Sequence, residues 1–152
     1  MKDMINVAKN IATEVHAGQM DKGGEAYILH PMTVASKVES DDEKIVAWLH
    51  DTVEDSRITL TDLKESGFSK EVINAVDAIT KKQGQSYDEY INNLKENTIA
   101  VKVKIADLTH NSDITRINNP TQKDFERIEK YTRIKRELIE YLKTERKGQG
   151  LA

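Results

Sequence analysis

Apolar side chains recur along this chain mostly at helical spacing and seldom at the two-residue spacing of strands. Over residues 3–17, Ile5, Val7, Ala8, Ile11, Ala12 and Val15 fall close to the rhythm that paints one stripe on a helix. The stretch GQMDKGGEAY breaks that rhythm with Gly18, Gly23 and Gly24 and reads as a loop. His30-Pro31 then opens a helix to about Val38, because a first turn has no use for the N–H that proline lacks. SDDE at 40–43 matches a capping box and starts a helix whose stripe is Ile45, Val46, Leu49 and Val53. Thr59–Ser66 forms a short helix stopped by Gly67, and Ser69 caps the next, which runs to about Lys82. Ser86 and Glu89 make another capping box, for a helix to about Lys95.

One segment is ambiguous. In TIAVKVKIADL, Val101, Val103 and Ile105 alternate with lysines as a strand would. A lone strand in a helical chain has no partner, so the segment is read as a buried helix, with Ile99, Val103 and Ala106 on one face. Asn119-Pro120 is a cap and first-turn pair that predicts a long amphipathic helix over 120–146. The expected fold is all-α, a bundle of about seven helices without four-helix symmetry.

Length and composition narrow this. The 152 residues suffice for one domain with a real core, and no linker or shift in composition divides them. We therefore expect a single domain over 1–147 and a flexible tail over 148–152. A hydrophobic share of 38% and a charged share of 32% suit a soluble helical protein. No apolar run approaches the roughly 18 residues of a spanning helix, and MKDMINVAKNIATEV lacks a secretory pattern, so a cytoplasmic location is expected. The absence of cysteine removes disulfides, zinc–thiolate sites and cysteine nucleophiles together. A net charge of −3 gives no general attraction to nucleic acid. The basic residues after Arg127 alternate with Glu129, Glu137 and Glu140, as on a solvated, salt-bridged face.

The chemistry concentrates in AWLHDTVED, Ala47 to Asp55. In a continuous helix His50 and Glu54 share one face, as do Asp51 and Asp55. A divalent cation held by His50 and Asp51 would leave Glu54 and Asp55 one turn along to orient water, an order that suits hydrolysis. Two further segments join this one. EAYILHP places His30 at a helix start, and VKIADLTHN places Asp107 in the most apolar part of the chain, where a carboxylate needs a partner. His30, His50, Asp51 and Asp107 form a mixed N/O donor set fitting Mn2+ or iron better than closed tetrahedral zinc. A salt-bridged core network without metal is the bland alternative.

HAGQMDKGGEAYILHPMTVA, WLHDTVED and VKIADLTHN, in that order, resemble the signature segments of the HD-domain hydrolases of the RelA/SpoT-homologue family. The chain looks like their small stand-alone alarmone hydrolases in particular. That resemblance implies the HD fold and one metal ion, typically Mn2+, on His30, His50, Asp51 and Asp107. It implies that Glu54 and Asp55 activate water, and that the reaction removes the 3′-pyrophosphate from guanosine 3′,5′-polyphosphates. Lys22 matches the family's loop lysine, which meets a phosphate. Tyr27 is placed to stack on a base, and Asn111 to hydrogen-bond sugar or phosphate; a packing anchor and a helix-end bond are their structural alternatives. His16 is expected to buttress the site, and His110 to point away from it.

One residue departs from the long bifunctional enzymes, which typically have an arginine where this chain has Asp21. A carboxylate there would repel phosphate and cannot stack as a guanidinium does, so base specificity is open, and adenosine 3′,5′-polyphosphates are the alternative substrate. A non-catalytic nucleotide-binding regulator is a further alternative, weakened by the presence of every ligand and catalytic position. The expected partner is a small nucleotide, not nucleic acid or membrane; the sequence leaves the oligomeric state unknown.

Overall fold

The computed structural model describes residues 3–148, excepting the side chains of Asp55 and of residues 146–148. Asp3 caps α1 (Met4–Val15) by accepting from the backbone of Ile5 and Asn6. α2 (Leu29–Ser36) starts at the His-Pro pair, and Ser40 caps α3 (Asp41–Leu49) through the N–H of Glu43. A single turn, α4 (Thr52–Asp55), follows. Thr59 and Asp62 close a reciprocal capping box on α5 (Leu60–Glu65), which ends at Gly67 with φ +100°. Ser69 and Ser86 cap α6 (Lys70–Ile79) and α7 (Tyr87–Leu94). The ambiguous apolar segment is α8 (Thr98–Asn111), and a 3-10 turn (Ile114–Arg116) leads to α9 (Gln122–Gly148). Among the described residues there is no strand, only one isolated bridge between Met20 and Ala26. The all-α expectation holds.

Several boundaries differ from the sequence reading, among them the ends of α2 at Ser36 and of α6 at Ile79, short of the expected Val38 and Lys82. The helix expected to run unbroken through Asp55 turns at His50 and Asp51. Side chains take the backbone acceptors there: His50 Nδ1 donates to the Ala47 carbonyl at 2.6 Å, and Thr52 Oγ1 donates to that of Leu49 at 2.8 Å. The one helix expected over this stretch is thus two, α3 and α4, with His50 and Asp51 between them. α9 starts two residues later than expected. Asn119 adopts φ +52°, and the cap is a reciprocal pair in which Thr121 and Asp124 each accept from the other's N–H. α9 also reaches Gly148, the first residue of the expected tail; residues 149–152 lie outside the described residues.

α3 is the centre of the packing. It buries Ile45, Val46, Ala47, Trp48 and Leu49 and touches α1, α2, α6 and α8. α8 joins that core to α2 on one side and to α9 on the other, where Leu138 is fully buried. No helix among the described residues is long and apolar enough to cross a membrane.

Candidate metal centre and adjoining cavity

α2, the turn after α3, and α8 each deliver polar side chains into this core, for local reasons. His30 shares its helix face with buried Val34, and Asp107 shares its face with buried Val103 and Ala100, so packing of those faces carries both inward. His50 follows five consecutive buried residues, and the turn re-aims it toward α8. The three side chains are buried, and one ligand atom from each lies within 4.8 Å of the others. His30 Nε2 is 2.8 Å from Asp107 Oδ1, which is 3.3 Å from His50 Nε2. Asp51 Oδ2 lies 3.1 Å from His50 Nε2 and 4.0 Å from His30 Nε2. The four ligand positions read from the sequence thus meet, although Asp51 stands at the edge of the tightest trio.

The donors fit a cation. The Ala47 carbonyl can only accept, so His50 Nδ1 carries a proton, and Nε2 is the atom facing the cluster. That Nε2 is buried without a hydrogen bond of good geometry, although two carboxylates flank it. Burial alone would lower the His50 pKa, but the charge of Asp51 and the contact with Asp107 raise it well above its ordinary value. Burial would raise Asp51, but His50 and a hydrogen bond from the Tyr27 hydroxyl hold it at about 2. Asp107 is likewise held well below the carboxylate range against its burial, by Lys104 first and then by the two imidazoles. Two ionised carboxylates and two imidazoles around one point are what a divalent ion replaces a proton in.

Three participants were not legible in the sequence. Lys104, one turn before Asp107, is nearly buried and places Nζ 3.0 Å from Asp107 Oδ2. The i,i+3 spacing was the available signal, hidden by the strand-like alternation around it. His110, expected to point away, stacks on His30 with ring centroids 5.0 Å apart and Nδ1 atoms 2.7 Å apart. Burial, with the nearby Arg116 charge, lowers its pKa to about 4, so it is neutral near pH 7. Arg116 is the third: NH2 donates to Asp21 Oδ2 at 3.2 Å, and NH1 donates to the His110 carbonyl and to Asn111 Oδ1. Asp21 is therefore paired, and the charge expected to repel phosphate is offset by Arg116.

Lys22, Tyr27 and Asn111 line one cavity of about 360 Å³, together with Asp21, Arg116 and Tyr131. It adjoins the cluster through two of them. Tyr27 donates to Asp51, and Asn111 Nδ2 donates to Asp107 Oδ1 at 3.1 Å. His16 is buried against the Tyr27 ring, 4.8 Å between centroids. Glu54 is exposed and lines a different cavity, with Leu60, Asp77 and Lys82. The side chain of Asp55 lies outside the described residues.

No protein-family profile matches the chain. It is 35% identical over 127 residues to a GTP pyrophosphokinase of Myxococcus xanthus, covering 72% of this chain and 17% of that protein. It is 34% identical over 116 residues to a guanosine-3′,5′-bis(diphosphate) 3′-pyrophosphohydrolase of Haemophilus influenzae, covering 66% and 17%. A protein of the same description from Aquifex aeolicus is 34% identical over 119 residues, covering 70% and 17%. The chain thus spans about a sixth of the length of these curated relatives. Among solved structures, one described as a metazoan ortholog of SpoT that hydrolyzes ppGpp superposes with a TM-score of 0.74. The superposition covers 93% of this chain and 86% of that one, at 22% identity, and shows a shared fold.

Proposed function

We propose a function for this chain from its place among the HD-domain proteins of the RelA/SpoT-homologue family: a metal-dependent guanosine-3′,5′-bis(diphosphate) 3′-pyrophosphohydrolase. One observation carries the reading. His30, His50 and Asp107 converge from three elements on one buried point, with Asp51 beside them and the His50 Nε2 unsatisfied. His30, His50, Asp51 and Asp107 would hold one divalent ion, Mn2+ in our reading. When bound, such an ion neutralises charge on a phosphoryl group and lowers the pKa of water toward neutrality.

The chain's own residues prepare that site. With an ion bound, a neutral His110 would accept from His30 Nδ1 and so turn the His30 Nε2 lone pair toward the cluster. The Ala47 carbonyl fixes His50 in the same sense. Lys104 and Asn111 hold Asp107, and Tyr27 holds Asp51, so neither carboxylate is free to turn away. The family resemblance assigns to Glu54, with Asp55 assisting, the role of orienting the attacking water and taking its proton, although Glu54 lines the cavity beside Leu60 and Lys82. Lys22, Tyr27 and Asn111 receive the nucleotide in the adjoining cavity, whose lining matches the chemistry of a phosphorylated nucleoside.

The test is product analysis with purified protein and Mn2+, comparing guanosine and adenosine 3′,5′-polyphosphates. Pyrophosphate release from the guanosine compound is expected, abolished by Asp51→Ala and slowed about 10²–10⁴-fold by Glu54→Gln. Release from the adenosine compound alone would move the substrate and keep the mechanism. Mn2+ binding without turnover of either would replace the hydrolase by a nucleotide-binding regulator.

A further inference from the structure

We infer that Arg116 recognises the purine base of the bound nucleotide and sets its identity, with Asp21 as the residue that positions it. The inference rests on the nucleotide reading of the site given above. The guanidinium has five N–H groups, and three are engaged by the protein: two on the His110 carbonyl and Asn111 Oδ1, at 2.9 and 3.2 Å, and one on Asp21 Oδ2. Asp21 is itself anchored, its Oδ1 accepting from the backbone N–H groups of Gly23 and Glu25 at 2.9 Å each. The loop lies so close to the 3-10 turn that a Cβ on Gly23 would stand 1.9 Å from the Arg116 carbonyl oxygen. Loop and turn are therefore closed on one another before any ligand arrives, and the Arg116 plane is fixed.

Position and charge point to the base. The cavity that Arg116 lines reaches the metal cluster through Tyr27 and Asn111, so a nucleotide with its reacting phosphorus at the cluster extends its remainder into this space. The other cations there differ in kind. Lys22 is largely exposed, 4.0 Å from Asp124, and Arg127 is tied to that same carboxylate at 2.8 Å. Arg116 has its charge offset by Asp21, which weakens it as a phosphate clamp and leaves what the edge of a base needs: a planar fork held in place, with two remaining N–H donors. Donors of that kind match guanine, whose N7 and O6 both accept. Adenine pairs its N7 acceptor with an amino donor and matches them less well.

The closing experiment is calorimetric binding of GDP and ADP to the Mn2+-loaded protein, with Mn2+ affinity measured in parallel. Wild-type protein is expected to prefer GDP. Arg116→Lys, which keeps the charge and loses the plane, should weaken GDP about tenfold and abolish the preference. Asp21→Asn, which keeps the guanidinium and removes its tether, should fall between, and Mn2+ affinity should stay constant in both. Equal binding of GDP and ADP by the wild type, or an unchanged preference in Arg116→Lys, would overturn the inference. A preference lost in Arg116→Lys, in a protein that releases no pyrophosphate, would leave Arg116 standing and remove the hydrolase reading instead.

Discussion

The imidazole of His110 shows how much one neutral side chain decides. A charged ring there could not accept from His30 Nδ1, and His30 would then have to keep its proton on the nitrogen that faces the cluster. Burial and the neighbouring Arg116 charge keep His110 neutral. His110→Phe retains a flat ring and removes the acceptor. We expect that variant to lose about 10–100-fold in Mn2+ affinity, with His110→Asn intermediate because its amide oxygen still accepts. Competition titration against a metal-sensitive dye reads both, and unchanged affinity in His110→Phe would remove the positioning role. Lys104 is the complementary case, a buried ammonium whose pKa is raised well above its ordinary value by Asp107 and two tyrosines against the effect of burial.

Among the elements, α9 depends on its first turn more than its amphipathic stripe suggests. Its cap is the Thr121–Asp124 pair, and Asp124 also accepts from Arg127. The Thr121 backbone N–H, followed by the Arg127 side chain, lowers the Asp124 pKa to about 2. A carboxyl with a folded pKa below its unfolded value stabilises the fold above the unfolded pKa. That contribution is lost as pH falls through the folded value. Asp124→Asn is therefore expected to lower the melting temperature by a few degrees at pH 7, with the gap to wild type closing between about pH 4 and pH 2. A gap independent of pH would assign the effect to geometry alone. The break between α3 and α4 works differently: two side chains take helix carbonyls there, and the His50 and Asp51 side chains meet with Nε2 and Oδ2 3.1 Å apart.

At the scale of the whole molecule, the cluster ties together α2, the turn after α3, and α8, all of which share the core. A cation binding these three elements stabilises the folded state because the unfolded chain does not assemble the set. Mn2+ at 100 times its dissociation constant should add about 2.7 kcal/mol, read as a rise in melting temperature. Asp107→Ala should show no rise. A rise of equal size in that variant would place the ion elsewhere.

The amino-acid sequence by itself determined most of the helices and the caps at Ser40, Ser69 and Ser86, and it singled out His30, His50, Asp51 and Asp107, because those signals act locally. Periodicity, capping and an aspartate stranded in an apolar run are all readable within a few residues. Tertiary structure alone decided the rest. It brought His110 against His30 across 80 positions and Arg116 against Asp21 across 95, and so paired the carboxylate that looked out of place. It also moved the α9 cap to Thr121 and turned the chain at His50, where side chains compete with the backbone for the same carbonyls. Such contacts depend on which faces pack together, and no local pattern records which distant residue a buried face will meet.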